Sequence, residues 1–294
     1  MVVPPQRFSI ACKSLLTRSG IPSVDYAANP YFGCEHGCLY CYATFMLKFR
    51  PAPGPWGTFV GVKENAADVL GREARRGAHG RVLFSSVCDA YQPVEAARGL
   101  TRACLSALVG APGLEVGILT KSDLVVRDLD VLSRLRAPSV GFSVTTLDEG
   151  VARIVEPGAA SPRSRLEAMR ELSRAGVGVW GFVAPVLPGL SDGEDALRAL
   201  LGAMRDAGAG HALVDTMNPY PQVVRRLRPV IAARFPEHLA AFDACRTQPL
   251  AHAAALAGRV ERAGRAARLR TEICFRAVRE ASPEAGANRR GPDG

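Results

Sequence analysis

The stretch Asn29-Pro-Tyr-Phe-Gly-Cys-Glu-His-Gly-Cys-Leu-Tyr-Cys-Tyr-Ala43 carries three cysteines, Cys34, Cys38 and Cys41, in the spacing C-x3-C-x2-C. Thiolates are the ligands that iron-sulfur clusters select, and a cubane held by three of them keeps one iron free for a ligand that is not protein. In an enzyme that open position takes a substrate or a cosubstrate. A structural zinc site wants four closed ligands, usually from two paired knuckles, and no second cysteine pair matches this triplet. His36 lies between two of the cysteines and would have to fold back across its own loop to become a fourth ligand. Tyr40, beside Cys41, is placed to shield a cluster from solvent.

Outward from this loop, short apolar segments alternate with helical patterns. Strands are expected at 29–32, 57–62, 81–85, 114–120, 140–145, 177–183 and 211–215. Helices are expected from Tyr42, and at 65–76, 94–108, 124–135, 164–174 and 192–207. Nearly continuous apolar strands separated by helices argue for parallel pairing with the helices packed outside, and about six such units predict a complete or partial barrel. Reactive groups in such architectures sit on the loops at the C-terminal ends of the strands, and the cysteine loop follows the first expected strand. The chain accordingly divides into a polar, proline-containing lead-in at 1–28, a core domain at 29–220, a helical C-terminal extension at 221–283 and a polar tail at 284–294, expected to be disordered. The extension is rich in Ala, Arg and Leu over 223–270 and should break at Pro229 and Pro236.

The 294 residues, 48% of them hydrophobic and 22% charged, have the composition of a soluble globular protein. No run approaches the roughly 20 apolar residues of a membrane span, and the first ten residues lack the apolar core of a secretory signal. A cytoplasmic location with no membrane partner is the expectation. Eight cysteines carry little weight as a disulfide framework in a chain this long without a signal. Cys104 and Cys245 read as small buried apolar residues. The formal charge of +9 favours a polyanionic partner such as nucleic acid. Many arginines, Arg72, Arg75, Arg76, Arg98 and Arg102 among them, fall instead on solvated faces of amphipathic helices. Along the sequence, aromatics do not interleave with the charges as a single-strand binding surface requires.

With Tyr40 immediately before its last cysteine, the loop resembles the radical S-adenosylmethionine superfamily. Further runs sharpen the resemblance: Asn29-Pro-Tyr-Phe-Gly-Cys34, Cys41-Tyr-Ala43, Asp89-Ala-Tyr-Gln-Pro-Val-Glu95, Thr120-Lys-Ser122, Arg127-Asp-Leu-Asp130, Glu156-Pro-Gly158 and Ala184-Pro-Val-Leu-Pro-Gly189. Together, across residues 12–220, they resemble the spore photoproduct lyase-like branch. The resemblance implies an α/β fold, a partial (β/α)6 TIM-type barrel with a helical C-terminal extension. It also implies a [4Fe-4S] cluster on Cys34, Cys38 and Cys41, with S-adenosylmethionine on the open iron. Reduction by a protein such as flavodoxin or ferredoxin then cleaves S-adenosylmethionine to a 5′-deoxyadenosyl radical. That radical takes hydrogen from an organic or nucleotide-like substrate.

The resemblance also assigns residues. Lys121 matches a lysine that contacts the cosubstrate carboxylate, and Ser143 a serine near the cosubstrate, although a solvated lysine and a strand-end cap are the plain alternatives. Tyr40, Tyr42, Ser86 and Cys88 join the cosubstrate side, with Glu156 and Arg165 in a polar layer below it. Cys88 and Tyr91 are the catalytic candidates. Asp89 and Glu95 lie at the same strand-to-helix junction, where Glu95 serves equally well as a helix-end carboxylate. The segment 184–189 is expected to shape a loop rim. Spore photoproduct lyase donates a hydrogen atom from a cysteine three positions before an Asp. Aligning that Asp with Asp89 puts Ser86 at the donor position, and a serine O–H bond is too strong for the task. Cys88 would share a face with Ser86 if the segment were extended. Thymine-dimer repair is therefore not expected, and a structural metal site on a nucleic-acid-binding protein, or a DNA lesion lyase, remain the alternatives.

Overall fold

The computed structural model describes residues 4–274. Its strands are β1 (Gln6–Ile10), β2 (Leu16–Arg18), β3 (Tyr26–Ala28), β4 (Tyr31–Phe32), β5 (Phe59–Lys63), β6 (Gly80–Phe84), β7 (Leu114–Thr120), β8 (Ser139–Ser143), β9 (Gly178–Val186), β10 (Ala212–Thr216) and β11 (Thr271–Ile273). Eight of them form one sheet in the order β11-β10-β9-β8-β7-β6-β3-β2. Every neighbouring pair in it is parallel except β2 with β3. The sheet stays open, with β2 and β11 at its edges. It curves nonetheless, because the C-terminal ends of β6 through β10 all reach one cavity. This is the partial barrel of an α/β fold.

The helices are α1 (Ala66–Arg75), α2 (Val94–Arg98), α3 (Leu100–Leu108), α4 (Leu129–Leu132), α5 (Glu149–Val155), α6 (Pro162–Arg174), α7 (Glu194–Asp206), α8 (Pro221–Arg234), α9 (Leu239–Thr247) and α10 (Pro249–Ala267). Their apolar stripes close over the sheet, where Phe84, Ile118, Phe142, Val183 and Val214 are fully buried. Sequence sets the helix starts locally. Ser161 accepts a hydrogen bond from the Ser164 amide while Pro162 fills the first turn of α6, and Asp148 caps α5 through the Val151 amide.

Several expectations need correction. The segments 29–32 and 57–62 do not enter the main sheet: β4 and β5 pair antiparallel, and β1 joins them in a separate sheet of order β1-β5-β4. The first strand of the barrel is β3, from the segment read as a polar lead-in, which in all supplies three strands. Its Ala27 and Ala28 are small and buried against β6, an apolar run too short to stand out beside its polar neighbours. The helices expected from Tyr42 and at 124–135 are partly 3-10, at Tyr42–Lys48 and Asp123–Asp128. Pro229 does not break α8. It is exposed, so the backbone groups it leaves unpaired meet water, while Val223, Leu227 and Ile231 bury the opposite stripe. The break at Pro236 is present, and a further one falls at Pro249. The tail at 284–294 lies outside the described residues. Among the described residues no helix is long and apolar enough to cross a membrane.

Candidate active site

The cysteine loop is pinned from several directions. Gly33 has a φ of 84°, and a Cβ there would lie 2.7 Å from the Phe59 ring, so only glycine lets the chain turn at this point. Gly37 and Gly57 press backbone against backbone, with a Cβ on Gly57 falling 2.8 Å from the Gly37 Cα. The Leu39 amide donates to the Val155 carbonyl at 2.9 Å and the Gly158 amide to the His36 carbonyl at 3.0 Å. The Glu35 amide donates to Gln92 Oε1 at 2.8 Å, and Arg7 pairs with the Glu35 carboxylate at 2.7 Å. The Glu-Pro-Gly and Tyr-Gln-Pro runs thus act as clamps on the loop.

Held this way, Cys34, Cys38 and Cys41 line one cavity of about 410 Å³ together with Tyr40, Tyr42, Trp56, Ser86, Cys88, Lys121, Ser143 and Asp215. All three cysteines are free thiols, and so are the other described cysteines. Burial pushes the Cys38 thiol up to about 12, with the Glu156 charge adding to it, and raises Cys34 and Cys41 as well. In a cubane each thiolate reaches a different iron, and three cysteines lining one cavity are a donor set that fits such a cluster.

Beneath the cavity lies a buried polar layer. The Glu156 carboxylate accepts hydrogen bonds from the Tyr40 hydroxyl and the Arg165 guanidinium, and from the Thr145 hydroxyl at 2.8 Å. Arg165 also donates to the carbonyls of Ser143 and Ala160, at 2.9 and 2.8 Å. Burial alone would raise the Glu156 carboxyl, but the charges of Arg165 and Lys121 outweigh it and hold the group down to about 2. Lys121 Nζ sits 3.9 Å from Glu156 and 5.6 Å from the centre of the Tyr40 ring, with its side chain 14% exposed into the cavity. Asp89 ties the β6 and β7 loops together, accepting from Thr120 Oγ1 at 2.8 Å and from the Lys121 amide at 2.7 Å. It faces His36 Nδ1 at 3.5 Å, and burial lowers that imidazole's pKa.

The Ser86 and Cys88 side chains reach the same cavity, though not by strand alternation. The segment after β6 bends, with Ser85 at a φ of 78°. Asn29 bridges the two: its amide donates to Ser86 Oγ at 2.9 Å, and its carbonyl lies 3.6 Å from the Cys88 sulfur. Burial pushes the Cys88 thiol up to about 12. The Tyr42 hydroxyl donates to the Ser86 carbonyl, which sets its ring as a partition.

Tyr91 does not line the cavity. It is fully buried and donates to Asp128 at 3.0 Å, within a support where Glu95 also accepts from Arg127 at 2.8 Å and from the Thr101 amide at the start of α3 at 2.9 Å. Glu95 is a structural carboxylate. A further part of the lining is absent from the sequence reading: Asp215 and Thr216 at the end of β10, and Asn218 and Tyr220 in the connection to α8. Burial raises the Asp215 carboxyl, and Thr216 Oγ1 is buried without a partner among the described residues. The position of these polar residues at and just past the end of an expected strand was the available signal.

A second cavity of about 560 Å³ adjoins the first and shares Tyr42, Ser86 and Val87 with it. Arg18, Arg50 and Lys63 line it beside Phe32, Tyr42 and Phe45. Arg18 lies over the Tyr26 ring at 4.7 Å and Arg50 over the Phe32 ring at 5.7 Å. None of the three cations is in an ion pair among the described residues. Folding thus interleaves charges and aromatics that the linear sequence keeps apart.

Comparison with known proteins gives a consistent frame. An uncharacterized protein of Methanocaldococcus jannaschii is 36% identical over 185 residues, which cover 63% of this chain and 69% of the relative. A protein of Pseudomonas phage M6 named radical SAM Nalpha-GlyT isomerase is 27% identical over 187 residues, 63% of this chain and 38% of the relative. Among solved structures, spore photoproduct lyase complexed with dinucleoside spore photoproduct superposes with a TM-score of 0.68, covering 92% of this chain and 82% of the lyase at 18% identity, a likeness of fold. The family model described as the radical SAM superfamily matches residues 28–201, the span that holds the cysteine loop and the strand ends around it, and the chain belongs to that superfamily.

Proposed function

We propose that the chain is a radical S-adenosylmethionine enzyme, with Cys34, Cys38 and Cys41 as the ligands of a [4Fe-4S] cluster and a nucleotide-like molecule as substrate. The observation that carries the reading is the set of three cysteines, Cys34 and Cys38 buried and Cys41 partly so, lining one cavity at the C-terminal ends of β6–β10. Bound there, the cluster would supply the electron that cleaves S-adenosylmethionine to methionine and a 5′-deoxyadenosyl radical, which takes a hydrogen atom from the substrate. The chain's own residues position and protect that chemistry. Lys121 offers its ammonium to the cosubstrate carboxylate, and Glu156 with Arg165 and Tyr40 fixes the floor beneath it. Ser143 lines the same side. Trp56, Phe182 and Pro185 line the cavity with apolar surface that excludes water. Cys88 offers an S–H bond to the cysteine-lined cavity, while Ser86 lines both that cavity and the adjoining groove.

The nucleotide-like substrate rests on the adjoining groove, whose three cations outside ion pairs among the described residues and whose exposed Tyr42 ring suit phosphate and base. The dinucleoside held by the lyase of the same fold belongs to that chemical class. Thymine-dimer repair is set aside because Ser86 stands at the donor position. A one-electron protein such as flavodoxin or ferredoxin in the cytoplasm completes the reading.

Anaerobic reconstitution with iron and sulfide tests it: a brown protein with about four irons per chain, releasing 5′-deoxyadenosine when reduced with S-adenosylmethionine, is the expected result. A colourless zinc protein that releases none would overturn it. The substrate class is checked by adding oligonucleotides at rising salt, where binding should fall steeply. Salt-insensitive binding, or restored thymine from dimer-containing DNA, would count against it.

A further inference from the structure

We infer that Arg226, on the C-terminal helix α8, is a positioning residue that holds the cysteine loop and sets the reduction potential of the cluster bound there. The inference rests on the cluster reading above. α8 leaves the cavity wall just after Tyr220, and its buried stripe Val223, Leu227 and Ile231 packs in one apolar cluster with Cys38 and Tyr40. That packing turns Arg226 toward the loop. Its Nη2 donates to the Cys38 carbonyl at 2.9 Å and to the Gly37 carbonyl at 3.2 Å, across 188 and 189 residues of sequence. Its Nη1 is buried with no hydrogen-bond partner among the described residues. Nor does any carboxylate there lie within ion-pair distance of the guanidinium.

A half-buried guanidinium with an unused N–H and no carboxylate is costly unless a negative group stands nearby. Burial lowers its pKa, and the groups that oppose this by favouring its cationic form are Cys41 and Cys38. With three thiolates the oxidised cluster is already anionic, and reduction adds one further negative charge. A fixed cation beside it stabilises the reduced state more than the oxidised one and so raises the potential. The same side chain, through two carbonyls, fixes the backbone on either side of the Cys38 Cα. One residue of the helical extension thus ties that extension to the redox centre.

The test is a redox titration of reconstituted protein followed by the spin signal of the reduced cluster, comparing the parent chain with Arg226→Gln and Arg226→Lys at matched iron content. Arg226→Gln should shift the midpoint negative by about 59 mV, a tenfold change in the oxidised-to-reduced ratio at a fixed potential for a one-electron couple. Arg226→Lys keeps the charge and should stay close to the parent. Equal midpoints for the parent and the Gln variant would overturn the inference while leaving the cluster reading intact. Should the Gln variant take up no iron, the Lys variant decides: a parental midpoint sustains the inference, and a tenfold negative shift overturns it. A parent chain that takes up no cluster overturns both readings.

Discussion

The cavity has two walls made in different ways. On one side the cysteine loop concentrates chemistry in eight consecutive residues from Cys34 to Cys41, and glycines and backbone hydrogen bonds fix its path. In the other wall Asp215, Thr216, Asn218 and Tyr220 are ordinary polar residues at the mouth of β10, given meaning only by the cavity the fold builds around them. On the function proposed above, the loop wall would carry the reaction common to the superfamily. The other wall, with the basic groove beside it, is where this chain can differ from its relatives. Substitutions on the first should stop all turnover, and substitutions on the second should change which molecule is turned over.

The largest effect is expected at the loop. Cys38→Ala removes one ligand of three and should abolish both cluster uptake and 5′-deoxyadenosine release, read as iron per chain and by chromatography of the product. A variant that still loads iron and cleaves S-adenosylmethionine would break the assignment of this wall.

Next in size is the floor. Glu156→Gln leaves Arg165, itself only 1% exposed, without its counter-charge, and should cost roughly 3–5 kcal/mol in chemical denaturation. The pH dependence has a definite sign. Because the folded-state pKa of Glu156 is depressed to about 2, its contribution is fully present above the unfolded value of about 4.3 and is lost as pH falls toward 2. The gap in stability between parent and Gln variant should therefore narrow across that window. A gap independent of pH would show that the carboxylate is not the charged partner of Arg165.

The same contrast explains what could be read from sequence. The cysteine spacing and the parallel α/β alternation were legible because each is a local pattern tied to one physical demand. Glu156 and Arg165 were placed in a floor layer through resemblance, and their mutual contact appears only in three dimensions. The other wall left no local trace, since an Asp and a Thr at a strand end satisfy many unrelated roles. Arg226 is more remote still, because its partners are main-chain carbonyls far away in sequence. The interleaving of Arg18 and Arg50 with Tyr26 and Phe32 is likewise a product of folding, and β3 hid because three residues make too short a pattern.

A smaller effect should sharpen the contrast from the other wall. Asp215 has no cationic partner among the described residues and accepts only the adjacent Thr216 amide, at 2.9 Å. Asp215→Asn should lower substrate-dependent turnover by the loss of one charge-assisted hydrogen bond, about 1.5–3 kcal/mol or roughly ten- to a hundredfold. Iron content and the slow release of 5′-deoxyadenosine without substrate should stay at parental levels. Equal losses in both assays would move Asp215 to the cosubstrate side.

The smallest effect is expected where the sequence reading placed a catalytic group and the structure places a support. Tyr91 donates to Asp128, which also accepts from Arg102 and Arg127, and its ring is fully enclosed beneath the β6 loop. Burial first, and then the Asp128 charge, raise its pKa, so the phenol stays a neutral donor at any working pH. Tyr91→Phe keeps the ring and removes one hydrogen bond from an acceptor that retains two arginine partners. It should therefore cost only about 0.5–1.5 kcal/mol of stability. Release of 5′-deoxyadenosine and substrate turnover should both match the parent once the folded fraction is equal. A selective fall in turnover with stability unchanged would return Tyr91 to the chemistry and mean that the cavity reaches deeper than its present lining.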